Sequence, residues 1–456
     1  MTTTSTLAAT DRTQQPKLSE LAASARPDRN RAVDFYRAAA MLAVAIGHWL
    51  AVAIGVGDDG DLIAGNALAY RPGLAWISWI FQVMPLFFVV GGFSSAMSLD
   101  SHNARGGRPQ DWVVARLRRM VAPAIVLAGT WLCLLVAGMA VDGLFGLGVT
   151  PLVAAGAVGA AIPLWFLSNY TIDTAIAPYV LPAFRRAPRV IALFGLGAFA
   201  ALEALRMADV SGPLRYLPYA NWVLGWLLFQ IMGFAWRDGL LPTGRPLALT
   251  AAGLWTAAIA TVAVGPWPIA MVHFPGLTNS PTHPPSLALM LFGAAYSATA
   301  LLLAPAISTF LAANERAWAA VVAANSVALS VYLWHLSAAA VAAGAFYALG
   351  WLPTAEIGTA GWWGQKVPLL VTSALVLAAL VSVVSGVERR ALLAPRSNWG
   401  GGPVSMLATA LVLSAGVKLW ANPDVVLLTI GMGLVTVLWL TALRAVRPGS
   451  RVALTG

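Results

Sequence analysis

RAVDFYRAAAMLAVAIGHWLAVAIG, residues 31–55, is apolar enough to cross a membrane, yet it keeps Asp34 and Arg37 near one end and His48 well inside. Successive residues of a helix turn by about 100°, so the eleven steps from Arg37 to His48 bring the two side chains to within about 20° of each other around the axis. A rise of about 1.5 Å per residue sets them about 16 Å apart along it. Asp34, three residues before Arg37, lies on the same side. Ionisable groups inside a membrane are costly and face a cavity or a partner. This polar stripe therefore marks a candidate site. The plainer alternative is an interfacial Asp34–Arg37 pair and a His48 that satisfies a helix contact.

The rest of the chain has the same character. Of 456 residues 59% are hydrophobic and only 10% charged, and the mean hydropathy is +0.76. A soluble protein cannot hide that much apolar surface, so the composition implies an all-α, polytopic membrane protein. The 19 tryptophans suit belts at both membrane faces. The net charge of +10 does not imply nucleic acid, because the basic residues fall in short loops between apolar runs. One cysteine, Cys133, allows no disulfide within the chain. Residues 1–30 lack an apolar core and are expected to form a disordered cytosolic tail rather than a signal peptide.

Crossing a hydrocarbon core of about 30 Å takes about 20 helical residues. Twelve runs meet that length: 33–54, 73–99, 113–139, 163–183, 189–207, 218–237, 246–265, 286–311, 318–349, 367–388, 404–421 and 424–444. Segment 150–162 is apolar but short, and is expected to be a re-entrant or outer-face helix. With both termini in the cytosol, 22 Lys and Arg fall on the inner side, five outside, and Arg37 within the first run. The positive-inside rule requires that asymmetry; counting 150–162 as a further crossing would destroy it. The acidic GDDGD loop (57–61) and the Pro-rich loop 265–285, with His273 and His283, then lie outside.

Three more polar groups interrupt the apolar runs. ARLRRM, residues 115–120, places Arg116 and Arg119 on one helix face beside Arg118. Arginine forks grip phosphate, although plain anchoring at the inner interface explains them too. NSVALSVYLWHLSAA, residues 325–339, carries Ser330, Tyr332 and His335, the last two on one face. PLWFLSNYTID, residues 163–173, adds Ser168, Asn169 and Asp173, which line a cavity or join helices. Glu203 and Arg206 form an i, i+3 pair that is structural. No His or Cys spacing suggests a metal, and neither a G-x-S-x-G nor a P-loop is present.

In their order along the chain these motifs resemble the acyltransferase 3 family of membrane O-acyltransferases. An Arg, ten residues, then a His is that family's first-helix signature, matched by Arg37 and His48, with Asp34 before them. MPLFFVVGGF (84–93) is similar to its second-helix motif, with Gly91 where serine is usual. Arg116 and Arg119 match its cytosolic Arg-x-x-Arg, and PLWFL (163–167) and SVYLWHL (330–336) match two later motifs. The resemblance implies a ten-helix core over 31–396 and two added spans in 397–456. It also implies an acyl-CoA donor, commonly acetyl-CoA, held by Arg116, Arg118 and Arg119, with no metal. His48 would be general base or acyl carrier, with Arg37 and Asp34 orienting the donor and Asn169, Tyr332 and His335 as candidates to touch substrate. The implied acceptor is a hydroxyl of a cell-envelope glycan or glycolipid. Ala-, Val-, Gly- and Arg-rich usage points to a high-GC bacterium, where trehalose mycolates are among such acceptors. A multi-pass protein of the bacterial cytoplasmic membrane follows. A secondary transporter is the rival reading, but such carriers show two related halves and this chain shows none. A non-catalytic scaffold would place no demand on His48. Oligomeric state is not legible in the sequence.

Overall fold

The computed structural model describes residues 29–57, 60, 62–393, 412, 414–420, 424 and 427–435. Thirteen α-helices run between Arg31 and Leu393. The first, α1 (Arg31–Ala51), is followed by a hairpin, β1 (Val52–Val56) and β2 (Leu62–Asn66), and two four-residue helices, α2 (Ala67–Tyr70) and α3 (Ser78–Phe81). Then come α4 (Met84–Asn103), α5 (Pro109–Phe145), α6 (Val149–Ala161), α7 (Leu164–Arg186) and α8 (Pro188–Met207). The remainder are α9 (Asn221–Arg237), α10 (Gly244–Val264), α11 (Leu287–Ala313), α12 (Glu315–Ala348) and α13 (Ala360–Leu393).

Eight segments among the described residues are long and apolar enough to cross a membrane, and the protein is a polytopic membrane protein. They coincide with eight of the twelve runs expected from sequence. The runs 33–54 and 218–237 form α1 and α9 but fall outside that count. Asp34, Arg37 and His48 lower the hydropathy of α1, and α9 has only 17 residues. The runs 404–421 and 424–444 lie mostly outside the described residues, as does the expected tail 1–30.

The first expected run is too long by three residues. Val52, Ile54 and Val56 alternate with small residues, a two-residue period that suits a strand. They pair antiparallel with 62–66, Val52 opposite Asn66 and Val56 opposite Leu62. Among the described residues the fold is thus helical with one two-stranded exception, at what we term the hairpin end of the bundle. The opposite, basic end carries Arg116, Arg119 and Arg185.

Helix α6 has 13 residues, about 20 Å, too short to cross alone. It joins α5 through Gly146 and Gly148, both at positive φ (64° and 67°), where a side chain would be strained. Asp142 caps its first turn by accepting from the amides of Val149 (2.7 Å) and Thr150 (2.8 Å). Helix α6 and α7 together make one candidate crossing, Val149–Arg186.

Two packing features position the site. Helix α4 and α9 touch backbone to backbone: a Cβ on Gly92 would lie 2.1 Å from the Gln230 carbonyl oxygen, and one on Gly233 2.0 Å from that of Val89. Small residues at a membrane-helix interface permit such approach. Helix α1 packs along α12, α4 and α11, burying Tyr36, Met41 and Val44 while Leu42 and Ile46 face outward. At its far end Lys366 of α13, 1% exposed, donates to the carbonyls of Leu50 (3.0 Å) and Val52 (2.6 Å). Its ammonium also sits over the rings of Trp362 and Trp363.

Candidate active site

His48 lies in the last turn of α1 and His335 in α12. The packing of those helices sets His48 Nδ1 2.7 Å from His335 Nε2. The rings lie end to end and nearly coplanar, with centroids 5.0 Å apart and planes 17° from parallel. His335 is fully buried and His48 half-buried. His335 Nδ1 lies 2.6 Å from the carbonyl oxygen of Tyr332. A carbonyl oxygen only accepts, so in the neutral ring this nitrogen carries the proton and His335 Nε2 the lone pair. That lone pair accepts the Nδ1–H of His48. The free lone pair of His48 is therefore on Nε2. A buried imidazole thus fixes the tautomer of a more accessible one, a task often given to a carboxylate.

The relay is braced on several sides. Tyr332 Oη donates to the carbonyl of Pro163 at 2.6 Å, joining SVYLWHL to PLWFL. Trp49 Nε1 donates to the His335 carbonyl at 2.8 Å, and Trp131 Nε1 to Ser337 Oγ at 3.0 Å. Buried Glu388 of α13 accepts from Trp334 Nε1 at 3.2 Å and from the Ser330 hydroxyl. The protons of Tyr332 and His335 are thus already committed within the protein.

A second group gathers about 16 Å down α1, towards the basic end. Asp34, 5% exposed, accepts from Arg37 Nη1 at 3.1 Å and Arg29 Nε at 2.7 Å. The other amino group of Arg37 donates to Ser94 Oγ at 2.6 Å. Arg116 Nη2 donates to the carbonyl of the same serine at 2.9 Å and to Ser98 Oγ at 2.6 Å. Its guanidinium also lies over Trp112, 5.1 Å from the ring centroid. Tyr170 stands within hydrogen-bonding reach of Arg116, and the charges of Arg37 and Arg119 bear on it. Arg119 is exposed on the same face. Arg118, half-buried, points about 160° away from Arg116 around the helix. The sum is positive: four arginines and one carboxylate, an arrangement suited to an anion with several charges.

Tyr170 also accounts for Gly91. A Cβ there would lie 2.6 Å from Tyr170 Cε2 and 2.9 Å from its hydroxyl oxygen. The tyrosine that faces Arg116 fills the space a serine side chain would need. Asn169 lies six residues beyond Pro163, about 9 Å further along α7. It is wholly buried, and neither atom of its carboxamide has a partner among the described residues; the same holds for the carboxylate of Asp173.

A family model for the acyltransferase domain, Acyl_transf_3, matches residues 30–387, most of the chain, with His48, Tyr332 and His335 of one group and Asp34, Arg37 and Arg116 of the other inside it. The protein belongs to the acyltransferase 3 family. No curated protein and no solved structure matches it. It is a membrane acyltransferase, and its two polar groups are the places where acyl-transfer chemistry has to be sought.

The structure brings together His48, His335 and Tyr332 at one level of this acyltransferase and Asp34, Arg37 and Arg116 at another. Asn169 has no partner in either group among the described residues, and Arg118 lies on the side of α5 turned away from Arg116. Three contributors are not evident from sequence patterns alone. Ser94 links Arg37 to Arg116, and its only sequence signal is the Ser-Ser pair after Gly-Gly-Phe in an apolar helix. Glu388 closes an otherwise apolar run and is drawn inward by Ser330 and Trp334. Asn325 donates to the backbone carbonyl of Asp34 at 2.8 Å, tying the start of α1 to α12.

Proposed function

We propose that this acyltransferase moves an acyl group, acetyl in the first instance, from cytosolic acyl-CoA to a hydroxyl of a cell-envelope glycan or glycolipid. The basic end faces the cytosol of a bacterial cell, as the excess of Lys and Arg in the loops of that side favours. On that reading about twelve helices cross the cytoplasmic membrane with both termini inside, ten in the core over 31–396 and two added in 397–456. Trehalose mycolates or other actinobacterial glycolipids are the acceptors to try first.

The observation that carries the reading is the proton order of the His48–His335–Tyr332 relay, which leaves a lone pair on His48 Nε2. That nitrogen takes the acceptor hydroxyl's proton as the oxygen attacks the thioester carbonyl, forming the C–O bond. Collapse of the tetrahedral intermediate breaks the C–S bond, and the His48 imidazolium returns the proton to the departing thiolate. His335 is a positioning residue: it holds the His48 ring and accepts from its Nδ1–H throughout. Arg37, Arg116 and Arg119 hold the phosphates of the donor, with Arg118 outside the grip, and Asp34 aims Arg37. The roughly 16 Å between the two groups suits the thin arm that separates a coenzyme's pyrophosphate from its thioester. Asn169, with a donor and an acceptor both unspent, faces the same arm or the developing oxyanion.

The test is reconstitution in liposomes with radiolabelled acetyl-CoA and an envelope glycolipid extract. Label moves into organic-soluble product with wild type and not with a folded His48→Ala. Normal transfer by that variant would sink the assignment.

A further inference from the structure

The site so far accounts for the donor and the proton but not for what holds the acceptor. Four aromatic rings at the hairpin end belong to neither group. Trp165 of α7 packs edge-on against Trp222 of α9, centroids 5.9 Å apart and planes at 68°. Trp222 meets His283 at 4.6 Å and 63°. His283 meets His273 at 4.4 Å and 40°. At its inner end the series continues to Trp226, 5.4 Å from Trp165 and wholly buried, whose indole N–H has no partner among the described residues. Exposure rises steadily along it: Trp165 and Trp222 are half-buried, and His283 and His273 exposed.

The outer rings are held, not loose. Arg206 Nη1 donates to the carbonyls of Pro284 (3.1 Å) and Ser280 (3.5 Å) on either side of His283. Glu203 accepts the amide of Leu287 at 3.1 Å. Thr282 Oγ1 lies 2.9 Å from His283 Nδ1. Loop 265–285 is fastened to the bundle by Gln82 Nε2 donating to the Met271 carbonyl at 2.6 Å and by the Met271 amide donating to Ser78 Oγ at 2.8 Å. Both imidazoles stay uncharged near neutral pH. The packing behind them lowers the pKa of His273, and takes that of His283 to about 3 with help from His273 and Lys418. The surface thus offers uncharged aromatic faces edged with nitrogen donors and acceptors. That chemistry suits a neutral pyranose, whose C–H face stacks on a ring while its hydroxyls pair with nitrogen.

The inner end of the series reaches the relay. Trp165 is two residues past Pro163, whose carbonyl holds Tyr332, and the Tyr332 carbonyl holds His335. We infer that Trp222, His283 and His273 form the acceptor's saccharide subsite, a platform on which a neutral sugar ring stacks while one of its hydroxyls is presented towards His48. This rests on the reading of the protein as an O-acyltransferase of a glycan or glycolipid.

The experiment separates the two. Binding of trehalose, a neutral disaccharide, to the purified full chain in nanodiscs is followed by tryptophan fluorescence and by calorimetry, with no acyl donor present. Wild type is expected to saturate, and Trp222→Ala and His283→Ala to weaken binding on the order of tenfold each, with Trp222→Phe keeping most of it. Monodisperse elution of each variant checks its fold. No saturable binding by wild type, or equal binding by all four proteins, overturns the subsite whatever the transfer assay gives. Trehalose bound at the platform without acyl transfer to any saccharide would uphold a saccharide subsite and fell the glycan or glycolipid acceptor of the proposed function.

Discussion

The two ends of α1 solve opposite problems. At the histidine end every proton is assigned: a buried ring, a backbone carbonyl and a tyrosine hydroxyl leave one lone pair and no surplus charge. At the arginine end charge is left over. Arg37 and Arg116 share a single serine, one carboxylate answers four guanidinium groups, and Arg119 stands open to solvent. On the proposed reading, a group that takes and returns one proton needs a fixed tautomer. A group that must hold a polyanion needs unspent charge, and Asp34 is spent on aiming it. One helix can serve both because about three turns of apolar residues insulate them.

If the histidine end works as a base, His48→Ala should give the largest effect, a loss of about 10²–10⁴-fold in kcat. His335→Phe should come next, on the order of a hundredfold in kcat with little change in KM, because the His48 tautomer is no longer fixed. His335→Gln, whose amide oxygen can accept from His48 Nδ1, should recover part of that loss. Equal defects in the two variants would mean that His335 merely fills space. At the arginine end the split should reverse. Arg116→Ala should raise KM for acyl-CoA by about tenfold with kcat nearly kept, and Ser94→Ala should do the same more weakly. A fall in kcat alone from either change would erase the contrast drawn between the ends. Smallest is Gly91→Ser, which should cost about 1–3 kcal/mol through overlap with Tyr170. The drop would be seen as a lower unfolding midpoint in detergent and be relieved by Tyr170→Ala in the same chain.

Much of this arrangement was legible before the fold was known. The stripe from Asp34 to His48 follows from helical period alone, as does the sharing of a face by Tyr332 and His335. That His335 would meet His48 could not be read, because 287 residues separate them and only the packing of α1 on α12 joins them. Residue type makes Tyr332 and His335 candidates to touch substrate; that their protons go to backbone carbonyls is a commitment that residue type cannot reveal. The hairpin was missed because Val52–Val56 continues the hydrophobicity of α1 without a break, and only its change of period marks the end of the helix. Gly91 looked like a lapse from a motif until Tyr170, 79 positions away in sequence, turned out to need the room.

Lys366 has a mechanical consequence. By clasping Leu50 and Val52 it stitches the end of α1 and the start of β1 to α13. Trp362 Nε1, donating to the Ile54 carbonyl at 3.1 Å, and Val56 N, donating to that of Pro353 at 2.9 Å, continue the same seam. That flank of the hairpin end is sewn shut, so on the proposed reading an acceptor would enter elsewhere around that end, as a platform at Trp222 and the two loop histidines requires.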